Sequence, residues 1–156
     1  MRDQKFNSVG IDLTENILEG ILYKTTKRVI KHISVHCSAS PQGRGDDAFT
    51  IDRWHQERWG SGIGYHFVVL EDGTIQKGRW TDSIPAAVKG HNSHNIAICF
   101  IGDGNPTSEQ IISLKTLVAL LKDQYKLTNQ DIKGHKEFKG HETRGCPCGL
   151  DVDDIK

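Results

Sequence analysis

The sequence predicts an α/β (α+β) domain in which a mixed β-sheet is flanked by helices. Runs with strand-like character are interleaved with runs of helical periodicity. An Asp72-Gly73 step between two apolar runs signals a tight hairpin, which excludes a purely parallel sheet. A length of 156 residues with 36% hydrophobic content suits one core. The domain is expected over 28–156, preceded by an N-terminal extension over 1–27.

In the extension, Asp12 and Glu15 form a capping-box pattern ahead of Ile17, Leu18, Ile21 and Leu22, which predicts a short amphipathic helix packed on the domain. From Val29 to Cys37 the chain alternates in part, with Ile33, Val35 and Cys37 on one face and His32, Ser34 and His36 on the other. This is a strand that presents His36 at its end. Thr50 is placed to cap a helix through Ile51, Trp54, His55 and Arg58, stopped by Gly60. Tyr65 to Leu70 and Ile75 to Arg79 are the two arms of the hairpin, and Ile96 to Ile101 is a third strand. Thr107 and Gln110 make a second capping box, after which Ile111, Leu114, Leu117, Val118, Leu121 and Tyr125 recur at helical spacing. Asp131 to His135 reads as a short last strand, followed by a Gly-, Pro- and charge-rich loop with a brief helical end.

Twenty basic and twenty acidic side chains cancel, so nothing points to nucleic acid. No run approaches the ~18 apolar residues of a membrane span, and the N-terminus lacks the layout of a secretory signal. A soluble monomer without a membrane anchor, made in the cytoplasm, is expected, with Cys37, Cys99, Cys146 and Cys148 as reduced thiols available to metals.

Zinc favours imidazole nitrogen and thiolate sulfur, and a catalytic site keeps three protein ligands so that water can take the fourth position. Eight histidines and four cysteines permit many triplets. His36, His135 and Cys146 are one of them, each at a strand end or in a loop after one.

Five blocks narrow the choice: VHCSAS at 35–40, WHQERWGSGIGYHFVV at 54–69, DGTIQKGR at 72–79, KGHNSHNIAICFIG at 89–102, and GHKEF through RGCPCGLDV at 134–152. In content and order they resemble the type 2 N-acetylmuramoyl-L-alanine amidases, the family of single-domain phage endolysins and peptidoglycan recognition proteins. The resemblance spans roughly 29–153. It implies a zinc enzyme that hydrolyses the amide between the lactyl group of N-acetylmuramic acid and L-alanine in peptidoglycan. Carried over, its zinc ligands are His36, His135 and Cys146, and its residues beside the reacting amide are Tyr65 and Arg144. The resemblance also implies a phage lysis role, with release from the host cytoplasm to the periplasm by another lysis protein. Its rival is a peptidoglycan-binding or regulatory module that has kept the fold and lost hydrolysis.

A guanidinium keeps its proton, so Arg144 suits an oxyanion stabiliser and not a base. That leaves Tyr65, Glu137, Glu142 or solvent to receive the water's proton. Many relatives carry histidine where this chain has Ala87. His91, Asn92 and Trp80 are the candidates for substrate contact, and Trp80 is the tryptophan expected at the surface. His55 and His66 read as hydrogen-bonded core residues. Cys37 and Cys99 read as buried thiols, and Cys148 as a competitor of Cys146 for metal. The cluster Lys24, Lys27, Arg28 and Lys31 reads as a solvated helix end.

Overall fold

β-Branched and aromatic runs form the sheet at the centre of the molecule, which a computed structural model describes over residues 9–15 and 26–156. Its strands are β1 (His32–Cys37), β2 (Phe67–Val69), β3 (Ile75–Lys77), β4 (Asn95–Phe100) and β5 (Ile132–Gly134). They lie in the order β3-β2-β4-β1-β5. Among these described strands β2 and β3 pair antiparallel, around the Asp72-Gly73 turn, and the other neighbours are parallel. Residues 10–13 extend the β3 edge, with Gly10 N–H donating to Lys77 O (2.7 Å) and Leu13 N–H to Ile75 O (2.7 Å). Asp12 Oδ1 accepts from Thr14 N–H (2.8 Å). The helical positions Ile17, Leu18, Ile21 and Leu22 lie outside the described residues.

The sheet is covered on both faces, as parallel pairing requires. Helix α2 (Ser108–Tyr125) lays Leu114, Leu117, Val118 and Leu121 against Ile33, Val35, Phe67, Ile96, Ile98 and Phe100. Its cap is the reciprocal Thr107–Gln110 box expected from local sequence. Helix α1 (Ala48–Trp59) covers the other face, where Ala48 and Ile51 meet Val68, Cys99 and Ile101. The α1 cap corrects the expectation placed on Thr50. Asp47 is the N-cap, its carboxylate accepting from Thr50 N–H (2.9 Å) while the Thr50 hydroxyl accepts from Asp47 N–H (3.2 Å). Thr50 is therefore the third helical residue, returning the bond instead of starting the helix. Gly60 closes α1 in the left-handed conformation, at φ 73°.

Arg28 departs from its reading as one charge of a solvated cluster. Its half-buried guanidinium donates to the carbonyls of Thr81 (2.7 Å), Ser83 (3.2 Å), Asn92 (3.2 Å), Ser93 (3.3 Å) and Asn95 (2.9 Å). One side chain thus anchors the long connection between β3 and β4 and the first residue of β4.

The cysteines require a second correction. Cys37 and Cys148 are joined by a disulfide across 111 residues, with Cα atoms 5.9 Å apart. The expected four free thiols reduce to two, Cys99 and Cys146. The alternation of β1 places Cys37 on the face opposite His36. The loop after Cys146 brings Cys148 to that side.

Candidate metal centre

β1 and β5 are parallel neighbours, so their C-terminal ends open on one edge of the sheet, where parallel α/β folds place their ligands. β1 ends by presenting His36, and β5 ends at Gly134 so that His135 begins a short 3-10 turn. Cys146 comes from the loop that folds back across β5. Gly134 permits that approach, because a Cβ there would lie 2.7 Å from Pro147 Cδ. The Cys146 thiol is held against β1 by Cys37 N–H, 3.3 Å from its sulfur.

His36, His135 and Cys146 thereby bring one ligand atom each to within 4.8 Å of one another, a donor set of the kind zinc prefers. His36 is buried (1% exposed), and its Nε2 lies 2.8 Å from Ser34 Oγ. Ser34 is fixed in turn by Asn95, which accepts from Ser34 N–H (3.0 Å) and donates to Ser34 Oγ (2.8 Å). Burial, with His135 and His141 adding to it, drives the His36 pKa well below the usual imidazole range. Burial also lowers His135 to about 4, assisted by His141 and Arg144. Both rings are neutral at pH 7, the form that binds metal. Burial raises the Cys146 thiol to about 11, so without metal it keeps its proton.

Two of the donors, His135 and Cys146, border a cleft of about 760 Å³ whose lining also includes His55, Trp59, Tyr65 and Arg144, while His36 lies buried behind it. A second hollow of about 530 Å³ shares Tyr65, His135 and Arg144 and adds Ala87, Lys89 and Asn92. The Tyr65 ring lies 5.1 Å from that of His36, and burial raises its pKa, so the phenol keeps its proton.

The substrate-contact candidates separate. Asn92 borders the second hollow, but its Oδ1 accepts from Ala87 N–H (3.1 Å) and Val88 N–H (2.9 Å) and builds the loop. The His91 ring packs on Phe138 and sits 2.9 Å from Lys139 O through Nε2. Trp80 lines a separate cavity of about 170 Å³ with Arg79 and Asp52. The exposed aromatic in the cleft is Trp59 (58%), in edge-to-face contact with His55 with centroids 4.7 Å apart. Among the proton acceptors considered, Glu137 accepts from Gly134 N–H (2.5 Å) and Glu142 from Gly140 N–H (3.0 Å), and neither lines the cleft.

The sequence reading missed His141. Its Nδ1 lies 3.1 Å from His135 Nε2, and its own Nε2 lies 2.9 Å from Lys89 O. It lies between His135 and Cys146 inside the 134–152 block, in a second Gly-His step, and that proximity to both ligands was the available signal.

The family model described as N-acetylmuramoyl-L-alanine amidase matches residues 26–149. The endolysin of Klebsiella phage KP32 is 36% identical over 109 residues, 65% of this chain and 72% of that protein. The endolysin of Escherichia phage T7 is 33% identical over 123 residues, 74% of this chain and 78% of its own length. Among solved structures, the endolysin amidase LysCS from Clostridium intestinale superposes with a TM-score of 0.73 at 30% identity, covering 83% of this chain and 82% of that one. Drosophila PGRP-LB shares the fold at a TM-score of 0.70 and 23% identity, over 83% and 81% of the two chains.

Proposed function

Because the chain belongs to the N-acetylmuramoyl-L-alanine amidase family, we propose that it is a zinc hydrolase of peptidoglycan acting as a phage endolysin. The bond cut is the amide between the lactyl group of N-acetylmuramic acid and L-alanine. The observation that carries the zinc reading is the convergence of His36, His135 and Cys146, two of which line the cleft.

These three residues would hold the metal. Bound zinc supplies Lewis acidity and lowers the pKa of water toward ~7. The neutral imidazoles offer lone pairs as they stand, whereas Cys146 must release its proton when the metal enters. Tyr65 lines the same cleft with its phenol protonated, ready to donate to the oxygen that gains charge as the amide carbon becomes tetrahedral. Arg144, also at the cleft, adds a fixed positive charge. With Glu137 and Glu142 bonded to backbone away from the cleft, the proton lost in the attack passes through solvent toward the departing amine. Trp59 offers its exposed ring face to a sugar or stem-peptide methyl group. The enzyme's place of action is the periplasmic wall, reached from the host cytoplasm with another lysis protein.

The test is digestion of purified peptidoglycan. New amino groups should appear without new reducing ends, cease with a chelator and return with zinc. Reducing ends would identify a glycosidase, and binding without release would establish the non-catalytic module. Cys146→Ser should abolish zinc retention while Cys99→Ser keeps it, and equal retention in both would remove Cys146 from the ligand set.

A further inference from the structure

We propose that His141 is a positioning residue that holds His135 in the tautomer whose Nδ1 carries the lone pair for the metal. The inference rests on the zinc reading above and names a residue outside the ligand set.

The hydrogen bonds run in one direction. Lys89 O can only accept, so His141 Nε2, 2.9 Å away, carries the N–H. With that N–H on Nε2, Nδ1 is the nitrogen of His141 placed to accept. His135 Nε2 lies 3.1 Å from it, within reach to donate to it. The remaining nitrogen of His135, Nδ1, is then unprotonated and available to a metal.

His135 needs such a partner. It is half-exposed at the start of a 3-10 turn, so its ring orientation is not set by packing alone. His141 is buried (8% exposed), with its ring 4.9 Å from that of His135. Its backbone is tied at both ends, His141 N–H to Phe138 O (2.9 Å) and Arg144 N–H to His141 O (3.0 Å). The relay also lies along the second hollow, which Lys89, His135 and His141 all line. The backbone carbonyl of Lys89 thereby takes part in orienting a ligand 46 residues away in sequence.

The experiment reads the rings directly. Nitrogen-15 NMR of metal-free protein at neutral pH should show His135 protonated on Nε2 and bare on Nδ1, and His141→Ala should yield a mixture of tautomers. Zinc affinity, measured against a chromophoric chelator, should fall about tenfold in His141→Ala. His141→Gln should recover most of the loss, because its amide can accept from His135 and donate to Lys89 O. If His141→Ala fails to fold, His141→Asn replaces it, being too short to reach both partners. A wild-type His135 protonated on Nδ1, or an alanine or asparagine variant within twofold of wild-type affinity, overturns the proposal. Zinc uptake that does not depend on Cys146 would sink the zinc reading instead, and the ring measurement would still decide the tautomer.

Discussion

Two buried histidines, His66 and His36, look alike by burial and proton affinity and differ in what their ring nitrogens touch. His66 is 0% exposed, with its pKa lowered to about 3 chiefly by burial. His36 is 1% exposed and is lowered in the same direction for the same first reason. Both nitrogens of His66 are committed to backbone: Nδ1 accepts from Ala97 N–H (3.0 Å) and Nε2 donates to Ser83 O (2.9 Å). His36 is committed through Nε2 alone, to Ser34, and its ring packs 4.8 Å from that of His135. A depressed pKa therefore marks burial in both. Only a nitrogen without a hydrogen-bond partner among the described residues marks a candidate ligand.

The largest expected effect tests that distinction. His36→Ala should abolish zinc retention and lower amidase turnover by about a thousandfold, as expected when several kcal/mol of metal assistance is lost. His66→Ala should do the reverse, costing about 2–4 kcal/mol of stability by leaving Ala97 N–H and Ser83 O unpaired, with zinc stoichiometry unchanged. If His66→Ala loses zinc at full stability, the comparison is broken.

Acid gives the next effect. The folded pKa of His66 lies below its unfolded value near 6.5, so its contribution is fully present above pH 6.5. It is lost as pH falls from there toward about 3, where the folded ring also takes a proton. The loss is on the order of 4 kcal/mol across that window. Denaturant titrations of metal-free wild type and His66→Gln should therefore converge as pH is lowered, since glutamine can keep both hydrogen bonds without titrating. Parallel stability curves would show that His66 does not contribute the acid sensitivity.

The smallest effect concerns the cleft thiol. Burial places Cys146 at about 11, so zinc binding near pH 8 should release close to one proton. Calorimetry in buffers of different ionisation enthalpy counts it. Cys146→Ser, which retains no zinc, should give no such signal.

What was legible in the sequence is what short-range chemistry decides. The Thr107–Gln110 box, the Asp72-Gly73 turn and the alternation that turns His36 away from Cys37 each involve residues within a few positions of one another. The family blocks named the donor triplet, and the fold brings it together. Other features depend on approach in space. Cys37 meets Cys148 across 111 residues, and Arg28 reaches the carbonyls of 81–95 because that loop crosses its strand end. Trp59 rather than Trp80 borders the cleft because α1 ends there, whereas Trp80 follows β3 on another side. His141 reads as an ordinary loop residue until Lys89 O and His135 Nε2 are seen on either side of its ring. Local propensity and capping act through bonds between near neighbours and so are written in the string. The direction of a ring's lone pair is set by whatever long-range packing places beside it, which only the tertiary structure decides.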